Sequence, residues 1–286
     1  MDLIRRFDRP DLRRPRAIVA LEGWGDACDA ASGAAEYILG QVEVEPFAVI
    51  DPEEFYDFQV RRPIVEVDEE GIRSLSWPAT RFFAVHQPGE DHDLVVVLGE
   101  EPNMRWRTFA RTLVQVLDEA GVEKLTTLGA FVGQVAHTLP VPIIGVGTDP
   151  DEISRHDLIT SRYEGPTAAI SVILEASRES GMPAISLWAA TPHYLAANSN
   201  PKAMLALLRK ASAVLDMEFD TAELEAIVAE FEDKVDKATD SSSDLADYVR
   251  RLESAGSEGL SGTDEDDPAQ LIEDIEQFLR QQPEGS

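Results

Sequence analysis

The residues best suited to chemistry in this chain gather where apolar runs end. Gly23-Trp24-Gly25-Asp26 closes the apolar stretch Ala17–Leu21 and leads into an alanine-rich segment. A strand that turns through glycines into a helix brings backbone N–H groups to one point, which suits a phosphate or another anion. The dinucleotide pattern G-x-G-x-x-G would need a third glycine at position 28, and Cys28 stands there. Glu22, Asp26 and Asp29 crowd the same turn. They would repel a phosphate, and they can cap the helix start themselves. The turn therefore has two readings, a structural one and a ligand-facing one.

Glu100, Glu101, Asn103 and Arg105 follow the apolar run Leu94–Gly99. Carboxylates at strand ends can act as general bases, although Glu-Pro turns also occur without that role. His137 comes after Gly133-Gln134, with Thr138 beside it, and His193-Tyr194 has the same station after a later apolar run. Loop histidines of this kind serve either proton transfer or packing. There is no G-x-x-x-x-G-K-[ST] phosphate loop and no G-x-S-x-G nucleophile elbow. Cys28 sits in an apolar helical stretch without a basic partner, the setting of an inert buried thiol. His86, His92, His137, His156 and His193 lack metal-ligand spacing, so neither a metal nor a cofactor is expected. Recognition is a separate matter. Phe55, Tyr56 and Phe58 interleave with Arg61, Arg62 and Trp77. Exposed aromatics beside arginine are the composition of an interface; the alternative is a small local core.

The elements that must position these groups alternate in type. Ala17–Gly40 reads as strand, turn and helix, Phe47–Ile50 as a strand, and Pro63–Val67, Ile72–Trp77 and Arg81–His86 as short strands of a meander. Leu94–Gly99 is a buried strand, Trp106–Ala120 an amphipathic helix stopped by Gly121, and Lys124–Phe131 and Val141–Gly147 further strands. Gly165-Pro166-Thr167 opens a helix through Arg178, and Ala184–Ala190 is the last strand. This alternation predicts a mainly parallel α/β sheet with a meander insertion near 60–86. Beyond Asn200 only helices are expected, over Pro201–Leu215, Asp220–Ala238, Asp244–Leu252 and Pro268–Arg280. The chain is therefore read as an α/β domain over 1–200 and a helical module over 201–286.

Charge separates the same two parts. Residues 214–286 hold 22 acidic and 5 basic side chains, so −17 of the net −29 lies there. A chain this acidic is not expected to bind nucleic acid or an anionic membrane. No apolar run reaches the roughly 18 residues of a membrane span, and the arginine-rich start, Met1 to Arg16, does not read as a secretory signal. The single cysteine fits a cytoplasmic setting.

Five of these segments also occur together and in order: L-E-G-W-G-D-A, D-P-E-E-F-Y-D-F over Asp51–Phe58, the join Leu94–Pro102, Gly165-Pro166-Thr167, and N-P-x-A over Asn200–Ala203. In that order they resemble the proteasome-assembly-chaperone family, in particular its actinobacterial branch, over about residues 15–240. The resemblance implies a three-layer α/β/α sandwich like that of purine nucleoside phosphorylases, with a helical C-terminal extension. It implies a non-enzymatic role in archaeal and eukaryotic relatives, assisting proteasome α subunits to assemble as oligomers. It also adds Gly165 and Thr167 to the candidate pocket of Gly23, Trp24, Gly25, Asp26, Glu100, Asn103, Arg105 and His137. Gly-Pro-Thr here departs from the archaeal Gly-Ile-Thr-Gly at that point.

Two functions follow from these readings. One is a protein-binding or assembly-chaperone-like scaffold that forms a homo-oligomer and engages partners such as proteasome components. The other is a small-molecule enzyme, nucleoside- or phosphate-directed, working through strand-end residues. The apolar stripe Leu271, Ile272, Ile275, Phe278 and Leu279, preceded by Asp264–Asp267, is expected to pack on its own domain or in a partner's groove.

Overall fold

The computed structural model describes residues 3–68, 71–196, 198–240 and 243–255. A short strand β1 (Ile4–Arg6) precedes β2 (Arg16–Glu22), after which the chain turns into helix α1 (Ala30–Gly40) and strand β3 (Pro46–Ile50). Strands β4 (Ile64–Val67), β5 (Arg73–Ser76), β6 (Thr80–Val85) and β7 (Leu94–Glu100) follow, then helix α2 (Trp106–Glu119), β8 (Lys124–Gly133) and β9 (Ile143–Gly147). Helix α3 (Pro150–Arg155), β10 (Ile159–Thr160), α4 (Ala169–Ser180) and β11 (Ala184–Pro192) complete the sheet. Three helices end the described chain: α5 (Pro201–Leu215), α6 (Ala222–Asp240) and α7 (Ser243–Ala255).

The fold is an α/β/α sandwich. Among the described residues nine strands form one sheet in the order β1-β3-β6-β7-β2-β8-β11-β9-β10. Successive side chains of β2 point to opposite faces, and both faces are covered. Ala17, Val19 and Leu21 pack with Phe109 and Leu113 of α2 and Ile173 of α4. Ile18 and Ala20 pack with Ala31 and Ala34 of α1 and Leu207 and Leu208 of α5. This double covering explains why β2 is apolar throughout rather than alternating.

The sheet is less parallel than the alternation of elements predicts. Strands β7, β2, β8 and β11 run parallel, but β6, β3 and β1 join antiparallel on one side and β9 joins antiparallel on the other. The reason is connection length: β6 reaches β7 through a short turn, which can only reverse the chain. The expected meander also divides. β6 belongs to the main sheet, and β4 and β5 stand apart as a two-stranded ribbon.

Two helix starts differ from the sequence reading. Cys28 and Asp29 adopt left-handed φ values of 58° and 49°, so a tight turn precedes α1 and the helix begins at Ala30. Asp26 then caps it, accepting from Ala31 N at 2.7 Å and Ser32 N at 3.2 Å. Helix α4 begins at Ala169 instead of at Gly165-Pro166-Thr167, because its first N–H is held by a side chain from another loop, Glu101. Helix α5 starts as expected, with the Asn200 side chain accepting from Ala203 N at 3.0 Å and Pro201 in the first turn. It packs against α1, where Gly33 leaves room for the Met204 side chain. Helices α6 and α7 rest on the far ends of β8 and β11 through Val235, Leu245, Val249 and Leu252, against Ala136, Tyr194 and Leu195. The helix expected at 268–280 and the acids 264–267 lie outside the described residues.

Candidate functional site

The C-terminal ends of β2 and β7 mark the topological position of a crevice, because the chain leaves the two strands in opposite directions. From β2 it passes to α1 on one face, and from β7 to α2 on the other. Open α/β sheets bind ligands in such crevices. Glu22 and Glu100 face each other there across the two strands. Burial, with Glu100 next in effect, raises the Glu22 carboxyl above its usual range. Arg61 Nε lies 2.7 Å from Glu100 Oε2. The buried Tyr56 hydroxyl donates to the Glu100 carbonyl at 2.7 Å, and burial pushes its pKa up to about 12.

Glu101 determines what this crevice can take. Its backbone N donates to Glu22 O at 2.7 Å. Its Oε2 accepts from Trp24 N at 3.3 Å, and its Oε1 accepts from Ala169 N at 2.7 Å at the start of α4. A carboxylate of the chain itself thus occupies the point where the turn after β2 and a helix N-terminus converge. Gly23 lets it come this close: the residue has φ +138°, and a Cβ there would stand 2.8 Å from Glu101 Cβ. Gly25 has a similar role, since a Cβ would meet that of Ala168 at 2.8 Å. The Asp26 carboxyl is raised, chiefly by burial, and its Oδ2 has no hydrogen-bond partner. Trp24 itself is 64% exposed.

The other sequence-derived candidates divide among several places. Asn103 Oδ1 accepts from Asp57 N at 2.9 Å, and Arg105 pairs with Glu54. Both residues therefore tie the loop after β7 to the 51–58 segment. Phe55 and Tyr56 are core side chains, 0% and 2% exposed, which corrects their reading as exposed aromatics. Phe55 packs edge-on to Phe109 at 5.4 Å, because the chain dives under α2 before it emerges at Phe58. Arg62 is exposed, and Gly165 and Thr167 are exposed in the loop before α4, where Thr167 donates to Ser171 Oγ at 2.5 Å.

His137 is buried and belongs to a separate network. The Tyr194 hydroxyl accepts from His137 N and lies 2.7 Å from its Nδ1, so its own hydrogen is free to point at that nitrogen. Nε2–H then donates to Asp236 Oδ1 at 3.0 Å. Burial lowers the His137 pKa, against the pull of Asp236. Lys202 Nζ donates to the His137 carbonyl at 2.5 Å. The cavity beside this histidine measures about 10 Å³, room for one water, and none of the crevice residues lines it. Sequence reading missed the role of Asp236, which lies 99 residues further on and in the helical module. Among the described residues no group of three or more His, Cys, Asp or Glu is placed to hold a metal ion. Cys28 is buried, with Sγ 3.6 Å from the Leu195 carbonyl.

The β4–β5 ribbon projects from the same region as the crevice. Val65 pairs with Leu75 and Val67 with Arg73 on one face, and Ile64 pairs with Ser76 on the other. Val65, Val67, Leu75 and Ile64 are between 48% and 65% exposed. At the base, Trp77 stacks edge-on against Phe58 at 4.8 Å.

Comparison with known proteins gives a consistent picture. The profile of the PAC2 family matches residues 20–239. A PAC2 family protein from Streptomyces avermitilis is 44% identical, with a TM-score of 0.77 over 82% of this chain and 99% of its own. A proteasome-assembly chaperone homologue from Mycobacterium tuberculosis is 39% identical, with a TM-score of 0.75 over 82% and 99%. An archaeal proteasome activator from Pyrococcus furiosus shares the fold at 20% identity, with a TM-score of 0.65 over 82% and 97%. No curated protein matches the chain.

Proposed function

The chain belongs to the PAC2 family, and on that premise we propose that it is a non-enzymatic, protein-binding scaffold of the assembly-chaperone kind. It associates with copies of itself and presents the C-terminal edge of its sheet to protein partners, with proteasome components as the partner class. The observation that carries this reading is the β4–β5 ribbon. A lone two-stranded ribbon is marginally stable in water, and this one holds apolar side chains out on both faces. Exposed apolar surface of this kind marks a site of association. Arg61, Arg62 and Trp77 at its base have the composition of an interface. The proteasome link rests on the homologues named above.

Glu101 weighs against the competing enzyme reading. A phosphate-bearing substrate acting with Asp26, Glu100 and Asn103 would have to displace a carboxylate already held by Trp24 N and Ala169 N. The protein is read as cytoplasmic, as its single cysteine suggests; among the described residues no helix is long and apolar enough to cross a membrane.

The test is the mass in solution of the full chain and of Val65→Lys/Leu75→Lys. We expect an oligomer that the double variant dissociates while its circular dichroism stays unchanged. A wild-type chain that is monomeric at about 100 µM, or a variant that stays oligomeric, overturns the reading of the ribbon as the self-association surface. Capture from native cells then addresses the proteasome components directly.

A further inference from the structure

The larger cavity, about 520 Å³, opens at the opposite edge of the sheet, and its size suits a small ligand. Arg16 begins β2 there, Lys124 begins β8, and Arg178 comes from the last turn of α4. The Arg16 and Lys124 side chains are only 17% and 14% exposed. Arg155, His156 and Lys210 stand close behind: His156 Nε2 is 3.6 Å from Glu152, and Lys210 Nζ donates to the His156 carbonyl at 2.9 Å. Arg16, Lys124 and Arg178 line the cavity beside three acids, Glu123, Asp149 and Glu152, an even balance in a chain with 54 acidic and 25 basic residues.

The acids of the cavity are already engaged. Asp149 accepts from Asp151 N at 2.9 Å and so caps α3. Glu152 is shared by Lys124, Arg155 and His156. Glu123 pairs with Arg14 at 3.4 Å and stands 3.9 Å from Arg16. The cations have partners too: Arg178 donates to both Glu175 oxygens, at 2.9 and 2.5 Å, and Arg16 Nε lies 3.3 Å from His92 Nδ1. Asp216 is the remaining acid that acts on Lys124. Two carbonyls of the last turn of α4, at Ser177 and Arg178, are taken by Met182 N and Gly181 N. The basic groups press on one another: burial and then Arg16 and Arg155 lower Lys124, while burial and then Lys124, Arg155 and Lys210 lower His156. A further negative charge in the cavity would relieve that repulsion.

We propose that this cavity binds a small multivalent oxyanion, a phosphate or carboxylate group of a metabolite, held by Arg16, Lys124 and Arg178. The site lies across the sheet from the protein-binding edge and is independent of it. Inorganic pyrophosphate and citrate are the probes, titrated calorimetrically into the full chain at constant ionic strength. We expect saturable binding of at least one of them, weakened at least about tenfold in both Lys124→Met and Arg178→Gln and tightened in Glu152→Gln. Arg178 is on the surface, so its variant reports on the site without disturbing the core. No saturable binding up to about 10 mM, or equal affinity in Arg178→Gln and the wild type, overturns the proposal.

Discussion

Glu101 shows how one side chain can change what a familiar turn means. The glycines at 23 and 25 are legible in the sequence as a strand-to-helix turn, and Asp26 is legible as a cap. Glu101 is legible only as one more acid in a polar cluster, because its two N–H partners come from loops 77 and 68 residues away. Glu101→Ala should cost about 1–3 kcal/mol by leaving Trp24 N and Ala169 N without it, and Glu101→Gln should cost less; denaturant unfolding of both variants checks this. His137 supplies the prediction for pH. Its pKa in the folded chain is lowered, so the unfolded chain takes up the proton first as pH falls. The stability it contributes is whole above its ordinary value of 6.5 and is lost progressively below it. His156 is lowered too and acts in the same sense. The two histidines should therefore lower the melting temperature on the acid side between pH 5 and 8, while the raised Glu22 and Asp26 carboxyls act in the opposite sense, and His137→Gln should lessen the acid-side fall. An unchanged slope in that variant would assign the effect elsewhere.

Elements were legible where local signals were enough. Helix α5 matches its expected span because its start is encoded locally, by the Asn200 cap, Pro201 and an apolar stripe. Asn200→Ala should thus destabilise the chain by about 1 kcal/mol, measurable by thermal or denaturant unfolding. Helix α2 and strands β2, β7 and β11 were similarly readable. The start of α4 was not, since its cap comes from Glu101. Strand direction at the sheet edges was also hidden, because the apolar run of β6 looks the same in a meander as beside β7. Phe55 and Tyr56 were misread for a related reason: aromatic residues near arginines suit a surface or a core equally well, and only the course of the chain under α2 decides.

At the scale of the whole molecule, the described residues form three apolar cores around the sheet. Two lie on its faces, and a third seats α6 and α7 on the ends of β8 and β11. The fold class was legible as α/β from alternation alone. What could not be read was where the C-terminal part rests, since contacts such as His137 with Asp236 leave no mark in local sequence. Two copies that meet through β4 and β5 must bring together two bodies of charge −29. That repulsion extends only about 8 Å at physiological ionic strength and shrinks as salt is added, whereas burial of apolar side chains does not depend on it. Association should therefore tighten between about 0.05 and 0.5 M salt, as sedimentation at a series of concentrations would record. Weakening over that range would mean that ion pairs, not the ribbon, hold the copies together.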